Sequence, residues 1–395
     1  MRLAQRVDRL GTETAFEVLA TVKQLEAEGK SIISFAIGEP DFETPENIKE
    51  AGCRAIQNNE THYGPSAGIM PMRETIAKYI AETRGIRVTP ENVVVTPGAK
   101  PIIFHSILAC VDPGDEVIYP NPGFPIYESM IRFVGAKPVP LPLVEEKNFS
   151  FDVDHLRSLV TERTKMIIIN SPQNPTGGVL SKSDLEAVAE LAIANDLWVF
   201  SDEIYSRIVF DSDFYSITAI PGMQERTIIL DGFSKTYAMT GWRLGYGVMN
   251  PKLAQALARL ETNAESCTAT FTQWAGIEAL TGPQDAAEAM ALEFRQRRDL
   301  IVEGLNQIEG ITCLNPGGAF YVYPNVTGAC KKLGLADSRA LQKYLLHEAG
   351  VAVLARSCFG QRNVGEDQEY VRFSYATSRE QIKEGLARIK KAIEG

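Results

Sequence analysis

Residues 165–205 read KMIIINSPQNPTGGVLSKSDLEAVAELAIANDLWVFSDEIY, the pattern of one strand–helix–strand unit. Lys165–Asn170 is apolar almost without interruption, as a strand buried on both faces must be. Ser181 with Asp184 three residues on forms a capping box, and behind it Leu185, Val188, Ala189 and Ala192 recur on one helical face. Leu197–Ser201 is a second buried run. The alternation extends outward, with further strands expected at Val93–Thr96, Glu116–Tyr119, Thr227–Asp231 and Leu244–Val248. Strands and helices alternating over this distance specify an α/β fold, a mainly parallel sheet wrapped by helices.

The pattern changes near residue 285. A long helix is expected over about Gln284–Gln307, where Arg295, Arg297 and Arg298 are interleaved with Glu293 and Asp299; such interleaving reads as a solvated helix face. Short strands follow at Ala319–Tyr323, Val351–Leu354 and Val371–Ser374, and the last helix, Arg379–Ile393, sets Ile382, Leu386, Ile389 and Ile393 on one face. These expectations divide the chain into a large domain, 41–285, and a smaller α+β domain made of 1–40 and 286–395.

Composition excludes several functions. The 395 residues carry a formal net charge of −10, whereas phosphate-rich nucleic acids need a basic face. No apolar run reaches the ~18 residues that a membrane helix requires. The six cysteines and four histidines are dispersed, without zinc-ligand spacing, and the cysteines read as reduced thiols of a cytoplasmic protein. A P-loop, a G-x-G-x-x-G turn and a G-x-S-x-G elbow are all absent. What remains is a set of polar loops after the expected strands, where open α/β sheets bind ligands. They are Gly98-Ala99-Lys100, Asn170 to Gly178, Asp202-Glu203-Ile204-Tyr205 and Gly232-Phe233-Ser234-Lys235.

That set resembles the class I aminotransferases, the aspartate aminotransferase-like branch of fold-type I pyridoxal phosphate enzymes. The resemblance runs nearly end to end, through Ala36-Ile37-Gly38-Glu39-Pro40-Asp41-Phe42, Tyr63-Gly64-Pro65, Asn174-Pro175-Thr176-Gly177, Ser201-Asp202-Glu203-Ile204-Tyr205, Ser234 to Arg243 and Tyr370-Val371-Arg372-Phe373-Ser374. It implies a seven-stranded, mainly parallel sheet, and pyridoxal 5'-phosphate held as a Schiff base by Lys235, which then serves as general acid and base. Asp202 matches the carboxylate that keeps the pyridine nitrogen protonated. Asn174 and Tyr205 match the donors to the ring oxygen, and Phe124 the aromatic stacked on the ring. For the phosphate the matches are Arg243, the backbone of Gly98, Ala99 and Lys100, and Ser234. Relatives often carry a serine where this chain has Gly232. Tyr63 matches a tyrosine that reaches the phosphate from the neighbouring subunit of a homodimer. Arg372, with Asn174 and the Gly38 backbone, matches the grip on the substrate α-carboxylate.

The resemblance thus implies ping-pong transfer of the α-amino group from an L-amino acid to a 2-oxo acid, with 2-oxoglutarate as the habitual acceptor. A pyridoxal-phosphate lyase or oxidase on the same scaffold is the alternative, since the residues that cradle the cofactor do not separate these outcomes. A cofactor-binding regulator is disfavoured, because the enzyme fold fills these 395 residues. The donor stays open at this point. Lys100 matches a lysine that serves a distal carboxylate, but in the arm Gly11-Thr12-Glu13-Thr14-Ala15 a glutamate and an alanine stand where hydroxyls would be wanted, and Glu13 would repel a dicarboxylate if it faced the site.

Overall fold

The computed structural model describes residues 1–211 and 213–395. Its first strand, β1, is Ile33–Ser34. Eight more follow: β2 Val93–Thr96, β3 Glu116–Asn121, β4 Lys137–Val144, β5 Ser150–Phe151, β6 Thr164–Asn170, β7 Trp198–Asp202, β8 Thr227–Gly232 and β9 Gly245–Val248. These eight form one sheet in the order β2-β9-β8-β7-β6-β3-β4-β5. Only β9 and β5 run against the rest. The sheet therefore has eight strands and not the seven expected, the extra one being the two-residue edge strand β5.

Both faces of the sheet are buried, as the apolar runs required. Ile167, Ile169 and Val199 pack against Leu185, Val188, Ala189 and Ala192 of the helix Lys182–Ala194. Met166, Ile168, Phe200 and Leu230 face the other way, against Ile102 and Ile103 of the helix Lys100–Cys110. A 13-residue helix is marginal alone; burial of side chains such as Leu185 and Val188, at about 1.5–3 kcal/mol each, holds it in place. Ser181 Oγ accepts from the Asp184 N–H, and Asp184 Oδ2 accepts from the Ser181 N–H, so the expected capping box is formed.

Sequence reading overlooked β4 because Pro138, Pro140 and Pro142 interrupt it. The pairing explains why they are tolerated. The Lys137 N–H donates to Asp115 O beside β3, so odd-numbered residues of β4 turn their nitrogens toward β3 and the prolines turn theirs away from it.

The remaining strands are β10 Tyr321–Val322, β11 Val351–Ala352, β12 Leu354–Ala355 and β13 Val371–Ser374. β13 lies between β10 and β12, and β11 pairs with β1. The N-terminal segment docks twice. Arg9 and Gly11 bond to the helix Pro125–Val134, through Phe133 O and Ser129 Oγ. Val18, Val22 and Leu25 of the helix Ala15–Ala27 bury against Tyr323, Leu354 and Tyr370.

The helix Asp285–Asn306 corrects the reading of its arginines as solvated. Arg295 is half exposed, but the side chains of Arg297 and Arg298 are only 6% and 3% exposed. Arg297 pairs with Asp41 at 2.6 Å and Glu293 at 2.9 Å, and Arg298 with Asp211 at 2.5 Å. Asp41 and Asp211 lie far off in sequence, so a pattern confined to the helix could not reveal them.

Candidate active site

Asn170 on β6 is level with Asp202 on β7, Asp202 with Leu230 on β8, and Gly232 at the end of β8 with Gly245 at the start of β9. Gly245 is in turn level with Thr96, the last residue of β2. The polar loops named from the sequence therefore leave one sheet edge, and there they border a cavity of about 310 Å³. That is at the lower end of the roughly 300–1,000 Å³ usual for small-molecule sites.

At the floor of the cavity Asp202 accepts from Tyr127 Oη at 2.5 Å and from the Ile204 N–H at 3.2 Å. Burial pushes its carboxyl up to about 6, against the pull of these two hydrogen bonds. Beneath it, Glu203 is buried as well. Arg84 compensates, reaching Glu203 at 2.8 Å, Asp231 at 3.1 Å and Ser206 at 3.0 Å.

Lys235 Nζ donates to Gly38 O at 2.7 Å. Dehydration pulls its ammonium down to about 8, with Arg372 and Lys100 pulling the same way and Glu39 opposing. The amine is thus much nearer neutrality at physiological pH than an ordinary lysine.

Asn170 Oδ1 accepts from the Asn174 N–H at 2.9 Å and so fixes the Asn174 loop. Asn174 Oδ1 accepts from Arg372 Nη1 at 3.0 Å, which leaves its Nδ2 as the donor for a ligand. Arg372 also donates to Ala36 O at 2.5 Å and lies over the rings of Tyr321 and Phe359. Its buried Nε has no hydrogen-bond partner among the described residues. The Tyr205 hydroxyl is 2.8 Å from that of Tyr321, and burial keeps it protonated far above the ordinary tyrosine range. Tyr321 packs so closely that a Cβ at position 38 would lie 2.0 Å from its hydroxyl, so only glycine fits there.

Arg243 stands beside the start of the helix Lys100–Cys110, its guanidinium donating to Thr240 O at 2.9 Å and Pro97 O at 3.3 Å. Gly98 makes room for it: φ is +85° there, and a Cβ would come within 2.2 Å of Arg243 Nη2. Ala99, Lys100 and Ser234 line the same cavity, as does Phe124, whose ring lies 5.4 Å from Lys100 Nζ. Gly232 is packed into β8, where a hypothetical Cβ would lie 3.1 Å from the Gly245 backbone, a tight fit for any side chain.

Of the residues expected from the sequence, Tyr63 alone stands apart. It is 90% exposed and borders a separate hollow with Cys267, Thr270 and Phe271. Sequence reading missed Tyr127 and Tyr321, and had Asn170 only as the first residue of a polar loop. Tyr127 follows Phe124 by one helical turn, a spacing that could have marked it; Tyr321 reads as an ordinary core aromatic.

These groups fit pyridoxal phosphate. A buried carboxylate suits a protonated pyridine nitrogen, a near-neutral amine suits an aldehyde, and a guanidinium beside a helix start in a cradle that a Cβ would fill suits a phosphate.

The family model for aminotransferase classes I and II matches residues 30–389. A probable aspartate/prephenate aminotransferase of Aquifex aeolicus is 40% identical over 99% of this chain and 98% of its own length. An aromatic-amino-acid aminotransferase of Thermococcus litoralis is 39% identical over 92% of each chain. The aspartate aminotransferase of Thermus thermophilus, solved with maleate, superposes with a TM-score of 0.92 at 37% identity, over 99% of this chain and all of that one. The chain therefore belongs to the class I and II aminotransferases, and it is a pyridoxal-phosphate-dependent transaminase of the fold-type I α/β architecture.

Proposed function

We propose that this transaminase moves the α-amino group of an L-amino acid to a 2-oxo acid, 2-oxoglutarate among the acceptors, with Lys235 as the residue that handles the protons. The observation that carries this reading is the pairing of a dehydrated Lys235, near 8, with a buried Asp202 in one cavity. Bound there, pyridoxal phosphate supplies an aldehyde to receive the amino group and a conjugated ring to take up the electron pair left at Cα. With the cofactor in place, Lys235 Nζ would take up the proton from the substrate Cα and give it back as general acid. Asp202, steadied by Tyr127, holds the proton on the pyridine nitrogen. Tyr205 and Asn174 Nδ2 would donate to the ring oxygen, and Phe124 would lie against the ring. Arg243, Ser234 and the backbone of Gly98, Ala99 and Lys100 hold the phosphate. Arg372 grips the α-carboxylate, with Asn174 and the Gly38 backbone beside it.

The same reading assigns 41–285 to a large domain and 1–40 with 286–395 to a small one, in keeping with a main sheet that lies wholly within 93–248. It makes the enzyme a homodimer in which exposed Tyr63 reaches the partner's phosphate site. A cytoplasmic location belongs to it too, in keeping with six free thiols. Aspartate and aromatic amino acids enter as donors on the strength of the relatives' names.

The test is the visible absorption of the purified holoenzyme on adding one amino acid without oxo acid. Transamination converts the band of the lysine-bound cofactor to that of the aminated cofactor and releases one oxo acid per site. A band that survives or returns while ammonia or peroxide accumulates would replace the reading with a lyase or an oxidase.

A further inference from the structure

The arm 11–15 separates two cavities. Gly11, Thr12 and Thr14 border an outer cavity of about 430 Å³, while Glu13 and Ala15 border the inner one. Inside, the Glu13 carboxylate is bonded to Lys100 Nζ. It lies deep enough for its charge to be felt at both Lys235 and Tyr321. The cavity has four cationic side chains, Lys100, Lys235, Arg243 and Arg372. On the function proposed above, three are committed: Arg372 to the α-carboxylate, Arg243 to the phosphate and Lys235 to the reaction. Lys100 is the cation left for a second carboxylate, and Glu13 already occupies it. Ala15, Ile37 and Ile103 add apolar surface to the same cavity, and the Phe124 ring lies 5.4 Å from Lys100 Nζ.

We infer that Glu13 is a specificity-determining residue that handicaps dicarboxylate substrates and favours uncharged, apolar or aromatic ones, by holding Lys100 in an ion pair within the substrate cavity. An acidic side chain must displace the Glu13 carboxylate from Lys100 and then sit next to it, a like-charge juxtaposition of the kind that discriminates against a partner. An uncharged side chain leaves the pair closed and meets Ala15, Ile37 and Ile103. The handicap falls on both halves of the cycle, on aspartate as donor and on 2-oxoglutarate as acceptor. It appears in KM, because the arm has to open before the acid is seated. This inference rests on the transaminase reading, since that reading is what commits the other three cations.

Glu13→Gln tests it, with nearly unchanged size and the charge removed. The ratio of kcat/KM for aspartate to kcat/KM for leucine is expected to rise at least about tenfold over the wild type, mostly through a lower KM for aspartate. The holoenzyme's dissociation constant for maleate, an unreactive dicarboxylate, is expected to fall by a similar factor, while that for 3-phenylpropionate changes less than about threefold. In a Lys100→Met background the same Glu13→Gln change is expected to give a smaller gain for maleate, because it then relieves only the like-charge repulsion and frees no cation. A ratio and a maleate affinity that stay level or fall in Glu13→Gln would overturn the inference. Should no amino acid convert the bound cofactor, the transaminase reading is what fails, and maleate affinity still decides for or against Glu13.

Discussion

The Tyr127 hydroxyl lies 2.5 Å from Asp202 Oδ2, with both side chains shut away from solvent. Burial drives the Asp202 carboxyl toward neutrality and this hydrogen bond restrains it. Tyr127→Phe removes the restraint, so Asp202 titrates at a higher pH and less of it is ionised near pH 7. A hydrogen bond to a charged group is worth about 1.5–3 kcal/mol, so turnover is expected to drop by about ten- to a hundredfold. The acid limb of the kcat/KM profile should move upward. A limb that stays in place while the rate falls would show Tyr127 to be packing alone.

Lys235→Ala is expected to lower transamination by about 10²- to 10⁴-fold, the range of a lost general acid and base, with far-ultraviolet dichroism unchanged. The wild-type lysine also sets a pH dependence. Its neutral form reacts with an aldehyde, so the rate at which apoenzyme takes up pyridoxal phosphate should rise with pH and level off above about 8. An ordinary lysine would keep climbing toward 10.5. Stopped-flow absorption across pH 6–11 reads the difference.

Gly98→Ala puts a methyl group where Arg243 Nη2 now sits, on a backbone that L side chains rarely adopt. The guanidinium has to move, and the dissociation constant for pyridoxal phosphate should rise at least about tenfold, as for loss of one charged hydrogen bond. Fluorescence titration of the apoenzyme measures it, and turnover at saturating cofactor should change much less.

Arg84→Met leaves Glu203 and Asp231 buried without their cation. Breaking a buried pair in this way costs about 3–5 kcal/mol, readable by urea denaturation. The pH dependence has a definite sign. Burial raises Asp231 to about 7 in the folded protein, from 3.8. The folded state therefore binds the extra proton, and this group's contribution is complete below 3.8 and is lost as pH rises through about 7. Arg84 opposes the upward shift, so without it the loss should extend to higher pH and run deeper.

Much of the fold could be read from local pattern, because Lys165–Asn170 and Leu197–Ser201 announce themselves by unbroken apolarity and the helix between them by its capping box. Asp202, Lys235, Arg243 and Arg372 were legible through motif identity, and the register that sets Asn170, Asp202 and Leu230 level brings their loops together. What stayed hidden depends on partners remote in sequence. Arg297 and Arg298 look solvated until Asp41 and Asp211 arrive from elsewhere in the chain. Tyr127 acquires its meaning only when its hydroxyl meets Asp202 at the end of β7. The Glu13–Lys100 pair joins residues 87 positions apart, and the sequence could state only its condition, a glutamate that matters if it faces inward.

Pro138, Pro140 and Pro142 have a consequence beyond their local fit. Every other residue along that border of the sheet lacks an amide hydrogen, and those are the residues whose nitrogens look outward. A stray strand from another molecule would find carbonyl oxygens to bond but no donors in return, so the ladder cannot be extended there. Growth of the sheet stops at the brief turn-back of β5, and a crowded solution of half-folded chains loses one of its routes to fibrils.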